Sequence, residues 1–415
     1  MLKMPKHFTT KIIIALLLGS VLGAIINFLP WQDSFKDILV DNILFPGGQV
    51  FLSLLKMLVV PVIFVSLICG VSSLGNINML GRIGFKTFFL YIITTAIASI
   101  LALLVARFFH VGHHSTLSIP QNFVKITPPL FKDIILGLVP NNPIEAMASG
   151  NMLQLIFFSL ILGVSMTMAG KHGKAIRNIF VDFNAVLMKL VYIVMIVAPY
   201  GIFFLLAALF AKQGVDIFRQ LLQYFLVVAL VLFMHLFISY GCILKFFAKL
   251  SPWIFFKKMY DAMLFAFGVS NSNASIPIVL ETVEEKLGVD ESVASFVVPL
   301  GANLNMDGTA IMQSVATVFI ANVYGINLGV SGYLTVVFMA TLASIGTAGI
   351  PGAGLVTLIM VLQQVGLPAE GIALIVGVDR LLDMLRTSVN ICGDAMISCL
   401  VGKSERRLNL KIYNL

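Results

Sequence analysis

Long apolar runs separated by short polar connections are the main feature of the sequence. Six of them occupy residues 10–29, 43–71, 83–109, 152–170, 176–211 and 218–246. Each is long enough to cross a bilayer core of about 30 Å as a helix. The first run is long and further runs follow it, so we interpret it as an uncleaved helix and not a secretory signal. The pattern predicts an all-α polytopic membrane protein.

After Pro252, small and polar residues interrupt the apolar pattern twice. Residues 254–287 are interrupted at 270–275, and residues 331–366 at 343–354. Neither half of either segment can span a bilayer alone, and non-helical backbone at that depth must be buried in protein or line a cavity. Each segment is therefore predicted to be a re-entrant helical hairpin, and a pair of kinked helices is the alternative.

Polar side chains also interrupt the apolar segment between these hairpins, at residues 292–323. They are Asn303, Asn305, Asp307 and Thr309. Their spacing of two would scatter them around a regular helix, so we predict an unwound turn at Gly308 that gathers them. Unwound backbone frees carbonyl oxygens for an alkali cation, and Asp307 supplies charge. The alternative is a kinked helix with a hydrogen-bonded aspartate.

The last apolar run, residues 378–396, contains five charged residues. They are Asp379, Arg380, Asp383, Arg386 and Asp394. On a 3.6-residue period all except Arg380 share a stripe about 100° wide with Thr387 and Asn390, and Arg380 lies at its edge. Each charge facing lipid would cost about 3 kcal/mol at the bilayer centre, so the stripe must face protein, water, ions or ligand. A site for a small charged solute with cations is favoured over a structural ion-pair network.

Composition agrees with a membrane protein and indicates its orientation. Mean hydropathy is +1.01, with 59% hydrophobic and 11% charged residues. The net charge of +8 lies in short loops and tails, so no nucleic-acid partner is predicted. If the spans alternate, these basic residues share one side, which places both termini in the cytoplasm. Short tails and loops are typical of a bacterial protein, which predicts a multi-pass protein of the inner (plasma) membrane.

Three motifs resemble one known family. They are GANLNMDGT at 301–309, ASIGTAGIPGAG at 343–354 and DRLLDMLRTSVNICGD at 379–394. Their order and spacing, and the segment pattern along the whole chain, are similar to the dicarboxylate/amino acid:cation symporters, the glutamate/aspartate transporter family. The resemblance implies eight transmembrane helices, two hairpins and inverted repeats.

The family resemblance also implies an assembly and a division into domains. The assembly is a homotrimer. Residues 1–82 and 111–211, the latter including an outer loop, form a scaffold domain. Residues 83–110 and 212–415 form a transport domain.

Residue by residue, the resemblance assigns a substrate site. Arg386 matches the position that holds the substrate's side-chain carboxylate, and Asp383 matches the one that holds its amino group. The further matching positions are Thr309, Thr387 and Asn390, with backbone from Ser272 and Gly354. Many members carry an additional arginine near this site, at a position where this chain has Ser270 or Met384.

The resemblance assigns three sodium sites as well. The first maps to Gly301, Asn305, Asn390 and Asp394. The second maps to backbone around Asn303, Ser344, Ile345 and Thr347. The third maps to Asn305 and Asp307 with Tyr91, Thr94 and Thr95, and the last three share one helix face.

The resulting expectation is a symporter that imports L-glutamate or L-aspartate with Na⁺ by alternating access. Coupling to H⁺ or transport of a C4-dicarboxylate is the alternative within transport, and an anion channel is the alternative from another class. No enzyme is expected, because the sequence lacks the motifs of intramembrane hydrolases. His235, the lone histidine of its span, is assigned to packing.

Overall fold

The computed structural model describes residues 8–28, 38–72, 80–113, 137, 139–213, 216–346 and 352–415. These residues form α-helices with short π- and 3₁₀-helical turns. The only β-pairing among them is an isolated bridge between Val289 and Leu408. The predicted all-α class is therefore confirmed for the described part of the chain.

The described residues of the amino-terminal half form six α-helices, and the long ones coincide with the predicted apolar runs. They are α1 (Phe8–Phe28), α2 (Phe45–Ser72), α3 (Leu80–Phe108), α4 (Pro143–Ser149), α5 (Met152–Met168) and α6 (Gly170–Gln213). A π-helical turn at Val40–Leu44 leads into α2. Most of the predicted outer loop, residues 114–136, lies outside the described residues.

The carboxy-terminal half is more interrupted. Its helices are α7 (Asp216–Met234), α8 (Pro252–Val269), α9 (Ser272–Glu281), α10 (Glu291–Leu304), α11 (Asp307–Val323), α12 (Gly329–Gly346), α13 (Ala353–Gln364), α14 (Ile372–Ser404) and α15 (Leu410–Asn414). Helix α7 continues to Phe247 through two π-helical turns, His235–Ser239 and Ile243–Phe247. These turns change which side chains face the neighbouring helices.

Helix α6 is the centre of one group of packed helices, which also contains α1, α2 and α5. Glycines allow the backbones to approach closely: a Cβ added at Gly19 would lie 2.6 Å from the Phe203 carbonyl oxygen. Such contacts between small residues replace the hydrophobic effect as the attraction between helices in lipid.

Helices α11 and α14 are the centre of a second group. The helices that pack against them are α3, α7, α8, α10 and α12. Nearly every residue of α11 is buried, and so is the polar stripe of α14 from Asp379 to Asp394. The charges of that stripe therefore face protein. The scaffold and transport domains, with their boundaries, remain predictions.

Length and apolar composition mark three single helices of the described chain as able to cross a membrane, namely Val40–Cys69, Arg82–Phe108 and Arg219–Phe247. The bent pair Gly170–Val194 and Ile196–Lys212, with an angle of 42°, adds a fourth if it is one span. Together with the family assignment below, these helices indicate an integral membrane protein.

The first interrupted segment forms two helices joined by a tight turn. Helix α8 ends at Val269, and Ser270 takes a left-handed backbone with φ of 51°. The Asn271 side chain then accepts a 3.0 Å hydrogen bond from the Ala274 amide and caps α9, as expected for asparagine at a helix N-terminus. The second segment likewise forms two helices, α12 and α13, whose connecting residues 347–351 lie outside the described residues.

Candidate functional site

The predicted break in the helix between the hairpins is present, but not at Gly308. Helix α10 ends at Leu304 and α11 begins at Asp307, with Asn305 and Met306 in extended or irregular backbone. Gly308 lies in the first turn of α11, where a Cβ would come within 2.9 Å of the Arg386 Cα. Its lack of a side chain serves close approach to α14 rather than unwinding, so the prediction of the break was wrong by two to three residues.

The break brings together the four residues predicted for the first cation site. The Asn305 amide nitrogen donates to Asp394 Oδ1 at 2.9 Å and lies 3.5 Å from the Asn390 carbonyl oxygen. Gly301 faces the same carboxylate, since a Cβ there would overlap Asp394 Oδ1. Asn305 Oδ1 is buried and has no hydrogen-bond partner within the described chain. A buried amide oxygen without a donor is a suitable ligand for a hard cation.

Asp307, which the resemblance assigns to the third cation site, is fully buried and accepts one hydrogen bond from α3. The Thr95 hydroxyl donates to Asp307 Oδ1 at 2.5 Å. Tyr91 donates to the Val297 carbonyl at 2.9 Å, and a Cβ on Gly301 would lie 2.5 Å from its hydroxyl oxygen. The Thr94 hydroxyl is buried and bonds to the Tyr91 carbonyl at 3.1 Å. The structure thus places Thr95 beside Asp307 and Tyr91 beside Gly301, and Thr94 lies one residue from Thr95 on the same helix.

Two further residues reach Asp307 that the sequence did not assign to the site. His235 Nε2 lies 3.1 Å from Asp307 Oδ2, and the Tyr240 hydroxyl donates to the same oxygen at 2.8 Å. They are five residues apart and flank a π-helical turn, in which the Tyr240 amide bonds to the His235 carbonyl. The interpretation of His235 as a packing residue was wrong, because its buried ring has a polar partner.

The structure describes only part of the predicted second cation site. Ser344 is buried, and its hydroxyl lies 3.5 Å from the Leu304 carbonyl beside the helix break. Ile345 is buried nearby in α12. For Asn303 the prediction concerned the backbone, which stays a prediction. Its side chain is exposed and bonds to the Pro299 carbonyl of its own helix, so it does not join Asn305 and Asp307 at the helix break. Thr347 lies outside the described residues.

Arg386 lies between two carboxylates of its own helix. Its Nη1 donates to Asp379 Oδ1 at 2.9 Å and its Nη2 to Asp383 Oδ1 at 2.7 Å, while Arg380 Nη1 lies 3.4 Å from Asp383 Oδ2. The ion-pair network that was the alternative to a ligand site therefore exists. It leaves one of the three guanidinium nitrogens without an acceptor, because the Arg386 Nε is buried without a partner in the described chain. It also leaves out Asn390 and Asp394.

Of the remaining predicted substrate residues, Thr387 and Asn390 lie on α14, and Thr309 and Gly354 lie near the amino ends of helices that pack on it. Asn390 Oδ1 accepts a 2.8 Å hydrogen bond from the Gly308 amide, and the Thr387 hydroxyl bonds to the Asp383 carbonyl at 2.8 Å. A Cβ on Gly354 would lie 3.1 Å from Thr309 Cγ2 and 3.3 Å from Arg386 Nη1. The amino end of α13 therefore closes over the guanidinium.

Ser272 is buried at the start of α9, and α9 packs on α14. No hydrogen bond joins its side chain to Arg386 within the described residues. At the two places where many similar proteins carry an arginine, Ser270 is buried at the hairpin turn and Met384 is half-buried. Neither supplies a second cation.

Comparison with known sequences identifies the protein family of this chain. The profile of the sodium:dicarboxylate symporter family matches residues 8–404. The chain belongs to the sodium:dicarboxylate symporter family. The resemblance found in the three motifs is thus confirmed, and the family is one of transporters.

Several relatives align with nearly the whole chain. It is 33% identical over 413 residues to the proton/glutamate-aspartate symporter of Escherichia coli, an alignment that covers 97% of this chain and 93% of that protein. It is 33% identical to the proton/sodium-glutamate symport protein of Bacillus subtilis, in an alignment that covers 96% of this chain and 93% of that protein. It is 30% identical to the C4-dicarboxylate transport protein of the same organism, in an alignment that covers 98% of this chain and 96% of that protein.

Proposed function

We propose that this protein is a symporter that imports L-aspartate or L-glutamate together with Na⁺ by alternating access. The observation that carries the proposal is the state of Arg386, which is 1% exposed and keeps a buried Nε without a partner in the described chain. An arginine presents a rigid planar fork that fits a carboxylate with two parallel hydrogen bonds. A ligand carboxylate supplies the acceptor that the surrounding protein lacks.

Asp383 gives the site its preference for an amino acid. Its Oδ1 accepts from Arg386 at 2.7 Å, and its Oδ2 is bonded only loosely by Arg380 at 3.4 Å. A substrate ammonium has three donors and prefers a carboxylate acceptor. The relatives include both glutamate/aspartate symporters and a C4-dicarboxylate transporter, and Asp383 favours the amino acid.

The charge of the site supports cation coupling. Four aspartates (Asp307, Asp379, Asp383, Asp394) and two arginines (Arg380, Arg386) leave a formal charge of −2, and an acidic amino acid adds a further negative charge. Moving that charge through a low-dielectric barrier is costly unless cations neutralise it. Residues Asn305, Asn390 and Asp394 would hold one Na⁺, and Asp307 with Tyr91, Thr94 and Thr95 another. Carboxylate and carbonyl oxygens suit such hard cations.

The energetics favour more than one sodium ion. A tenfold Na⁺ gradient with a potential of 100 mV supplies about 1.4 plus 2.3 kcal/mol per ion, and an anion moving inward costs about 2.3 kcal/mol. One ion therefore leaves only about 1.4 kcal/mol for accumulation. The proposal keeps a further Na⁺ site under the second hairpin, formed by backbone around Asn303, Ser344, Ile345 and Thr347.

Proton coupling is the second candidate. The Escherichia coli relative is named a proton symporter, and the first Bacillus subtilis relative a proton/sodium symport protein. Both oxygens of Asp307 already accept hydrogen bonds, from Thr95 and from Tyr240. Asn305 Oδ1, which is buried and has no partner in the described chain, favours Na⁺, because an amide oxygen binds a hard cation and carries no titratable proton.

The proposal includes the assembly and orientation that the resemblance implies. The protein is proposed to be a homotrimer in the plasma membrane with both termini in the cytoplasm. Residues 1–82 and 111–211 would form the scaffold, and residues 83–110 and 212–415 the moving domain. The separate packing of helices around α6 and around α11 and α14 supports this division.

Calorimetric binding of L-aspartate to the purified protein in NaCl or choline chloride tests the proposal. Binding is expected only in NaCl, and Arg386→Lys should abolish it because an ammonium cannot form the bidentate pair. Arg380→Lys is the matched control and should retain binding. Equal affinity in both salts would contradict sodium coupling, and unchanged binding by Arg386→Lys would remove this arginine from the site.

A further inference from the structure

A groove outside the substrate site lies where α3, the end of α7 and the end of α14 meet. Its volume is about 440 Å³. Its walls include the apolar side chains of Phe85, Phe89 and Leu400, and its rim carries Lys86, Lys249 and Lys403. None of these residues belongs to the substrate or cation sites described above.

The apolar side of the groove is unusually open. Phe85 is 72% exposed and Phe247 78% exposed, and Phe85 stacks on Phe89 with ring centroids 6.2 Å apart. Large exposed side chains of this kind in a membrane protein face lipid, and aromatic rings concentrate at the membrane–water interface. This wall is therefore suited to an acyl chain.

The polar side of the groove carries uncompensated positive charge. Lys86 lies 2.5 Å from Glu405 Oε1, and Arg82 bonds to the other oxygen of that carboxylate. The hydrogen bonds from Lys86 and Arg82 hold the pKa of Glu405 below its usual range, so Glu405 stays ionised and compensates Lys86. Within the described chain, neither Lys249 nor Lys403 pairs with a carboxylate.

The two remaining lysines are held next to each other. Lys403 Nζ donates to the Lys249 carbonyl oxygen at 3.3 Å. Lys249 has a left-handed backbone with φ of 49°, which is uncommon for residues other than glycine and asparagine. Two cationic groups beside an apolar wall match an amphiphile that has an anionic head and a long apolar tail.

We propose that this groove binds an anionic phospholipid, whose phosphate contacts Lys249 and Lys403 and whose acyl chain lies along Phe85, Phe89 and Phe247. Basic pockets between transmembrane helices are a common way to bind such headgroups. On the proposed orientation the groove faces the cytoplasmic leaflet. The three helices that line the groove all belong to the group around α11 and α14. The lipid would therefore bind to that group and not to the helices around α6.

Native mass spectrometry of the full-length protein in detergent, with equimolar phosphatidylglycerol and phosphatidylcholine, tests this proposal. The wild type should prefer phosphatidylglycerol by about tenfold or more, because each lysine contributes about 1 kcal/mol of attraction. The preference should disappear in Lys249→Gln/Lys403→Gln and persist in Lys249→Arg/Lys403→Arg, which keeps the charge.

The matched control is Lys171→Gln/Lys174→Gln, which removes two exposed charges at the start of α6. It should keep the preference, whereas an equal loss in this variant would show a general charge effect and overturn the site. Equal binding of both lipids by the wild type would overturn the proposal as well. If inorganic phosphate displaced the lipid at millimolar concentration, the apolar wall would have no role and the proposed mode would be wrong.

Discussion

Arg386 Nη1 donates a 2.9 Å hydrogen bond to Asp379 Oδ1, two helical turns earlier on α14. Both side chains are nearly fully buried. Because Asp383 holds Nη2, the guanidinium is fixed at both terminal nitrogens, while Nε has no hydrogen-bond partner among the described residues. Asp379 is therefore expected to orient Arg386 before the substrate arrives, a role that the motif resemblance did not assign to it.

Changing Asp379 tests this orienting role. Asp379→Ala removes one partner of a buried pair, a loss that typically costs about 3–5 kcal/mol, and it should lower both thermal stability and L-aspartate affinity. Asp379→Asn keeps an oxygen acceptor for Nη1 and should retain more of both. Calorimetric binding and thermal unfolding of the two variants provide the comparison. Equal affinities in wild type, Asn and Ala variants would mean that Asp379 does not orient Arg386.

Asp383 is predicted to select for the substrate's amino group. Asp383→Asn removes the charge that attracts an ammonium, so L-aspartate affinity should fall by about 10- to 100-fold, as expected for loss of a charge-assisted hydrogen bond. Succinate has the two carboxylates of aspartate without the amino group, and its affinity should fall less or rise. Competition of each compound against radiolabelled L-aspartate measures the ratio. A parallel loss for both compounds would contradict the assignment.

Tyr240 and Tyr224 form a matched pair for testing the surroundings of Asp307. Both are fully buried, but the Tyr240 hydroxyl donates to Asp307 Oδ2 whereas the Tyr224 hydroxyl has no partner within the described chain. Tyr240→Phe should lower the apparent Na⁺ affinity by about tenfold through loss of one hydrogen bond to a charged group. Tyr224→Phe should change it little. Sodium titrations of uptake at saturating substrate supply the measurement, and equal effects would assign the loss to packing.

Gly301 is predicted to tolerate no side chain. A Cβ there would overlap Asp394 Oδ1 and lie 2.5 Å from the Tyr91 hydroxyl, so Gly301→Ala should disrupt the first cation site and abolish sodium-dependent binding. Gly268→Ala is the control, since nothing lies within 4 Å of its Cβ and alanine favours a helix. Sodium-dependent binding that survives Gly301→Ala would remove Gly301 from the site.

The sequence predicted the helical segments and the burial of the charged stripe on α14 because both follow from the free-energy cost of exposing polar groups to lipid. Apolar runs of sufficient length must be helical in lipid, and charges on α14 must face protein. Asn305, Asn390 and Asp394 meet, and Thr95 reaches Asp307, as the motif resemblance implied. The motif resemblance, and not periodicity, linked residues on different helices.

Other parts of the site could not be derived in this way. His235 and Tyr240 are five residues apart, a spacing that places side chains on different faces of an α-helix and on similar faces only across a π-helical turn. An apolar run with period 3.6 does not reveal such a turn. The break between α10 and α11 was placed at Gly308 to gather polar residues that are spaced by two, whereas this glycine serves the close approach of α14.

The most direct test of the central claim is uptake of radiolabelled L-aspartate into proteoliposomes under an imposed Na⁺ gradient, an imposed H⁺ gradient or neither. We expect accumulation above the external concentration with the Na⁺ gradient, none in its absence, and none for Arg386→Ala under any condition. Accumulation driven by the H⁺ gradient alone would contradict sodium coupling. Failure to accumulate under every gradient, with protein that is folded and correctly inserted, would contradict the assignment of an acidic amino acid as substrate.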